Sequence, residues 1–158
     1  MGTAPLPDLV KTVAVTAPPE RAFAVFVDDV DAWWPLDGFS VGGASSSVAF
    51  ERGPDGRATR LVESLAAGGT ADWGAVTRWE PPRAVAFTWH PGERADAATR
   101  VEVTFSPSGD GTDVVLTHSA WGERSDGERA RATYDTGWEL VLAPFAARAG
   151  AASRPPTP

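Results

Sequence analysis

The chain has 158 residues, of which 42% are hydrophobic, and it carries a net charge of -7 and no cysteine. This length and apolar content fit one domain of roughly 100–200 residues, and the acidic balance makes nucleic acid and anionic membrane surfaces poor partners. The lack of cysteine excludes a disulfide framework and a thiolate metal site.

The first predicted elements are a strand and two short helices. Residues 1–8 read as an N-terminal extension without a basic, apolar leader, and no later run of about 18 apolar residues follows, so we expect a cytoplasmic protein without membrane insertion. Residues 9–16 alternate and are rich in β-branched side chains, which predicts a strand. Pro18 and Pro19 suit a first helical turn, and a second short helix is predicted before a proline ends it near residue 35.

Six further strands are predicted between residues 47 and 119. Gly- and Pro-rich turn signals separate them, and the connections have hairpin length, so the strands should be antiparallel. The strand-like runs are SVAFER, TRLVES, ADWGAVTRW, AVAFTWH, ATRVEVTF and TDVVLTHS.

The last predicted element is a long helix over residues 125–149. Ser125 and Glu128 have the spacing of a capping box. The apolar residues recur on one helical face: Ala130, Tyr134, Trp138, Val141, Leu142 and Phe145. No other element is long enough to cover the sheet, so the sequence predicts an α+β domain over residues 9–150. In this domain a curved antiparallel sheet of about seven strands wraps around the C-terminal helix, in the order β-α-α-β6-α. Residues 151–158 are predicted to form a disordered tail.

Two polar side chains are candidates for chemistry. If Val114 and Leu116 face the core, the strand period places His118 there as well, and Glu63 shares the phase of Leu61. His118 is either a core histidine with hydrogen-bond partners, as buried polar groups usually are, or a group that contacts a ligand. Glu63 is either an ordinary outward carboxylate or an inward one that pairs with His118, Arg60 or a Trp N–H, and with His118 it would form an acid–base couple.

Aromatic residues form the second set of candidates, either as core or as the lining of a ligand cavity. Trp34 and Trp73 are expected near the mouth of such a cavity, and Trp89, Tyr134 and Trp138 along its wall. There is no HExxH word, GxSxG elbow or phosphate-binding loop, so the sequence predicts no metal, no cofactor and no catalytic nucleophile.

Several short words occur in a characteristic order, and together they carry a resemblance. They are PPERAF at 18–23, WWP at 33–35, GPDGR at 53–57, WGAVTRWEPPRAVAFTW at 73–89, GTDVVLTHSAW at 111–121 and YDTGWELVL at 134–142. From Leu9 to Gly150 the chain resembles the START-like (SRPBCC) helix-grip superfamily, and within it the bacterial proteins similar to the activator of heat-shock-chaperone (Hsp90) ATPase. The resemblance implies a deep apolar cavity between the sheet and the C-terminal helix, where many members bind lipids, hormones or polyketides.

Three functions are compatible with this sequence. The favoured hypothesis is a carrier or sensor that binds a small hydrophobic or aromatic molecule and is not an enzyme; its candidate ligand-binding residues are Trp34, Glu63, Trp73, Trp89, His118, Tyr134 and Trp138. The main alternative is a cavity-based enzyme of the polyketide cyclase type, in which His118 and Glu63 move a proton. The third is a protein-interaction or chaperone-cofactor module, for which a homodimer is allowed but a chaperone partner is not expected.

Overall fold

A computed structural model describes residues 6–150, and its elements follow the predicted order. They are β1 (Leu9–Val15), α1 (Pro19–Asp28), α2 (Val30–Trp33), β2 (Ser47–Arg52), β3 (Ala58–Ser64), β4 (Thr70–Glu80), β5 (Ala84–Trp89), β6 (Thr99–Ser108), β7 (Gly111–Ser119) and α3 (Gly127–Ala149). The predicted tail at 151–158 and most of the extension at 1–8 lie outside the described residues. The predicted α+β class and element order are confirmed.

The seven strands form one antiparallel sheet with the order β1-β7-β6-β5-β4-β3-β2. Every sequential pair from β2 to β7 is a hairpin. β1 pairs with β7 and is the edge strand opposite β2. α3 packs against β1, α1 and α2 on the covered side of the sheet. This is the helix-grip arrangement that the sequence predicted.

Aromatic rings fill the core between the sheet and the helices. The Phe26 and Phe145 ring centroids are 5.4 Å apart in an edge-to-face arrangement, and Trp33 is also 5.4 Å from Phe145. The Trp33 indole donates a hydrogen bond to the Val25 carbonyl at 2.9 Å, so its polar atom is satisfied inside the core. Close contacts of this kind join α1, α2 and α3 into one layer.

The start of α3 differs from the prediction. The helix begins at Gly127 with Asp126 at the N-cap position, and the predicted capping box of Ser125 and Glu128 is not formed. The Asp126 carboxylate is held by the Arg124 guanidinium, with Nε and Oδ1 2.7 Å apart. The helix therefore starts two residues later than the spacing suggested. A Cβ at residue 127 would overlap the Trp121 carbonyl group, so the chain needs glycine there. No helix among residues 6–150 combines the length and the apolar character needed to cross a membrane.

Candidate functional site

A cavity of about 380 Å³ opens between α3, the segment after α2 and the turn after β5. Its lining is mainly aromatic and apolar, and none of the described residues around it carries a charged side chain. The lining residues are Trp34, Gly38, Phe39, Ser40, Val41, Trp89, Pro91, Gly92, Thr133, Tyr134, Gly137, Trp138 and Val141. The volume falls within the range of roughly 300–1,000 Å³ that small-molecule pockets occupy.

Four of the seven candidate ligand-binding residues line this cavity: Trp34, Trp89, Tyr134 and Trp138. The other three, Glu63, Trp73 and His118, are fully buried and lie outside its lining. Trp73 stands behind the wall, with its ring centroid 5.0 Å from that of Trp34 and 5.6 Å from that of Trp89. The cavity therefore has an aromatic wall and a second layer that supports it.

Sequence reasoning did not select several lining residues. Phe39 and Val41 lie in an irregular segment, where no period indicates which side chains point inward. On α3, Thr133 and Gly137 lie one position before Tyr134 and Trp138, and Val141 lies four residues after Gly137. Their helical spacing could have identified them as neighbours of the predicted wall.

His118 lies in a chain of hydrogen bonds behind the wall. The Trp138 indole N–H donates to His118 Nδ1 at 2.9 Å, so this nitrogen carries no proton and Nε2 must carry it. His118 Nε2 lies 2.6 Å from Thr99 Oγ1, which in turn lies 3.3 Å from the Trp89 carbonyl oxygen. Each donor in this series of hydrogen bonds therefore faces an acceptor.

His118 is neutral in this environment. Its side chain is inaccessible to solvent, and burial lowers its pKa to about 3, with a further contribution from the positive charge of Arg124. Protonation at Nδ1 would also place two donors, this nitrogen and the Trp138 indole, against each other. The geometry is that of a core histidine with both ring nitrogens occupied.

Glu63 is an inward carboxylate whose partners come from the cavity segment. Its Oε1 accepts from the Val41 amide at 2.8 Å and from the Trp73 indole at 3.0 Å, and its Oε2 accepts from the Gly42 amide at 2.7 Å. Burial acts to raise the pKa of this carboxyl, but the hydrogen bonds outweigh it and hold the pKa below its usual value. Glu63 is thus a charged anchor for the loop that contributes Val41 to the cavity.

No hydrogen bond joins Glu63 to His118 in the described part of the chain. Each of the two side chains instead bonds to other protein groups, and neither lines the cavity. Within residues 6–150 no three His, Asp or Glu side chains converge as metal ligands would. The site is therefore an aromatic cavity, and the buried ionisable groups lie behind its wall and hold the wall residues in place.

The indole N–H groups of the wall are bonded to protein. Trp34 donates to the Phe39 carbonyl at 2.8 Å, Trp89 donates to Tyr134 Oη at 2.9 Å, and Trp138 donates to His118. These bonds set the orientation of each ring. The indoles consequently offer a ligand ring surface rather than donor groups.

Most of the chain matches one protein family. Residues 16–150 match the family described as Activator of Hsp90 ATPase homolog 1-like protein. No functionally curated protein is similar enough in sequence to be matched. Both findings concern sequence alone.

Solved structures share the fold over nearly the whole chain. An anthrahydroquino-gamma-pyrone synthase, Txn09, complexed with SUM, is 30% identical, with 90% of this chain and 97% of that chain covered and a TM-score of 0.58. The Aha1 dimer from Colwellia psychrerythraea is 20% identical, with 94% and 100% covered and a TM-score of 0.64. Protein MLL2253 from Mesorhizobium loti is 20% identical, with 89% and 95% covered and a TM-score of 0.62.

Proposed function

Since this chain belongs to the Activator of Hsp90 ATPase homolog 1-like family, within the START-like helix-grip superfamily, we propose that it binds a small, neutral aromatic molecule in the cavity beside α3. The observation that carries the proposal is the wall itself, in which Trp34, Trp89, Tyr134 and Trp138 surround one space and no described lining residue has a charged side chain. Aromatic walls favour flat apolar ligands, because ring faces stack and lose contact with water on binding. A charged ligand would lose its hydration there without gaining a counter-ion.

The supporting layer favours binding over proton transfer as the role of this site. His118 is neutral and bonded at both ring nitrogens, and Glu63 holds the Val41 and Gly42 amides. Neither group faces the cavity, where a general acid or base would have to reach a reacting atom. A carrier or sensor needs only the shape and surface that the wall provides.

A second candidate is a cavity-based enzyme that acts on an aromatic substrate. It is favoured by the 30% identity to a protein named as a synthase. In this version the walls hold a reactive substrate in a productive conformation, and most of the rate gain comes from orientation. Chemical conversion of a bound aromatic compound, followed by mass spectrometry, would distinguish the enzyme from the carrier.

Gly137 offers a direct test of the cavity. It lies on α3 at the lining, and a Cβ there would meet Phe39 Cε1 at 3.7 Å, an ordinary contact. Gly137→Leu should therefore fold, and the leucine side chain should occupy the cavity. Replacing glycine inside a helix should also stabilise α3 by roughly 0.5–1 kcal/mol. We expect neutral aromatic compounds to stabilise the wild type in a thermal-shift screen, by about 2.7 kcal/mol at a hundredfold excess over Kd, and to have no such effect on this variant.

Gly122→Leu is the matched control, because Gly122 lies outside the cavity and a Cβ there meets no atom within 4 Å. This variant should bind as the wild type does. Equal binding by Gly137→Leu and the wild type would place the ligand elsewhere and refute the proposal. Failure of every neutral aromatic compound to bind the wild type would refute it as well.

A further inference from the structure

The hydroxyl of Tyr134 is the one side-chain donor on the cavity wall without an acceptor among residues 6–150. Every other side-chain donor on the wall already donates to a protein atom: the indole N–H groups of Trp34, Trp89 and Trp138 and the hydroxyls of Ser40 and Thr133. The Tyr134 oxygen accepts the Trp89 N–H at 2.9 Å, and its own hydrogen is uncommitted.

The surroundings of this hydroxyl favour it as a donor. Accepting a hydrogen bond polarises a hydroxyl, so the bond from Trp89 makes the Tyr134 O–H group a better donor. Burial raises the pKa of Tyr134 above its ordinary value of 10.0, so the phenol keeps its proton. Tyr134 is partly buried at the cavity wall, where a ligand oxygen could accept the hydrogen bond from its hydroxyl.

We propose that Tyr134 Oη donates a hydrogen bond to the ligand, and that the cavity selects flat, neutral aromatic ketones or quinones over the corresponding hydrocarbons. This inference rests on the proposed binding function and adds the chemical class of the ligand. The ring faces of the wall hold the aromatic body, and the single donor orients the carbonyl group. A ligand without an acceptor oxygen would fill the same space and leave the Tyr134 hydrogen unbonded.

Two matched pairs of probes test the selection: fluorene with its ketone 9-fluorenone, and anthracene with its diketone 9,10-anthraquinone. Members of a pair have nearly the same shape and differ in the carbonyl group. Quenching of tryptophan fluorescence measures binding, because three indoles line the cavity. We expect the wild type to bind each ketone more tightly than its hydrocarbon. Tyr134→Phe should weaken ketone binding roughly threefold to tenfold and leave hydrocarbon binding within about twofold.

Thr133→Val is the control variant. It also removes a hydroxyl from the cavity lining, but this hydroxyl already donates to the Arg129 carbonyl at 3.1 Å. The ketone preference should therefore survive in Thr133→Val. Urea unfolding of both variants checks their stability, since Tyr134→Phe also leaves the Trp89 N–H without its acceptor.

A second measurement needs no variant. The infrared carbonyl stretch of 9-fluorenone bound to the wild type should lie at lower frequency than in cyclohexane, because a hydrogen bond weakens the C=O bond. Three results would each overturn the inference and leave the proposed binding in the cavity intact. They are an unshifted carbonyl stretch, a wild type that binds ketone and hydrocarbon equally well, and a Tyr134→Phe variant that loses affinity equally for ketone and hydrocarbon. If neither pair binds the wild type, this inference falls, and the proposed function falls with it only if the other neutral aromatic compounds of the thermal-shift screen also fail to bind.

Discussion

Acidification should destabilise the protein through His118, well before its carboxylates are neutralised. The folded state keeps this imidazole neutral, because burial lowers its pKa to about 3 from an ordinary value of 6.5. The unfolded chain exposes the ring, which then binds a proton below about pH 6.5. Between these two values the unfolded state holds more protons than the folded state, so the free energy of unfolding falls as the pH falls.

The magnitude follows from the width of that window. Each pH unit below 6.5 removes up to about 1.36 kcal/mol, so lowering the pH from about 7.5 to about 5 should lower the free energy of unfolding by about 2 kcal/mol. The loss should continue towards pH 3, where protonation of carboxylates such as Glu63 acts in the same direction because the folded pKa of Glu63 is also lowered. The range above pH 5 is therefore the one in which His118 can be measured separately.

Urea unfolding followed by tryptophan fluorescence at several pH values is the assay. In His118→Gln the titrating group is absent, so the free energy of unfolding should change little over the same range, even if the variant is less stable throughout. The comparison concerns slopes rather than absolute stability. A wild type with no loss of stability by pH 5, or a His118→Gln variant with the wild-type slope, would refute the assignment of His118 as a buried neutral group.

Two further predictions concern the supports of the site. Glu63→Gln should lower the free energy of unfolding by about 2 kcal/mol, because it removes the charged carboxylate that accepts hydrogen bonds from Val41, Gly42 and Trp73. Urea unfolding measures this loss, and Glu123→Gln at an exposed position is the control that should be nearly neutral. Gly74→Ala should cost about 3 kcal/mol or more, because its Cβ would overlap the Thr88 carbonyl oxygen. Gly122→Ala meets open space and should change stability by less than about 0.5 kcal/mol, so equal effects of the two glycine variants on thermal melting would contradict the packing argument.

Strand phase predicted that His118 points inward, whereas for Glu63 it left both an outward and an inward direction open. Leu116 and His118 are both inaccessible to solvent, as the period of two required, and Leu61 and Glu63 are both buried on β3. The phase survives the register shift between Leu61 and Val62, because that bulge changes the pairing with β4 and not the direction of the Glu63 side chain. Side-chain direction along a strand is a local property, which a sequence can determine.

Partners could not be predicted in the same way. The candidate partners of an inward Glu63 were His118, Arg60 and a Trp N–H, and the Trp73 indole is one of its partners. Its other donors, however, come from a loop more than twenty residues earlier, and His118 bonds to Trp138 on α3. The predicted capping box failed for a related reason. Arg124 holds the Asp126 carboxylate, so the helix start depends on a competing pair that the spacing of Ser125 and Glu128 does not reveal.

The sequence by itself determined the element order, the seven strands, the long final helix and the inward direction of His118, because periodicity and turn residues act over a few neighbouring positions. Only the tertiary structure decided which aromatic rings enclose the cavity, that Phe39 and Val41 join them, and that the Tyr134 hydroxyl has no acceptor among residues 6–150. These features depend on distances between segments that are far apart in the chain, and the packing of α3 across the sheet sets those distances.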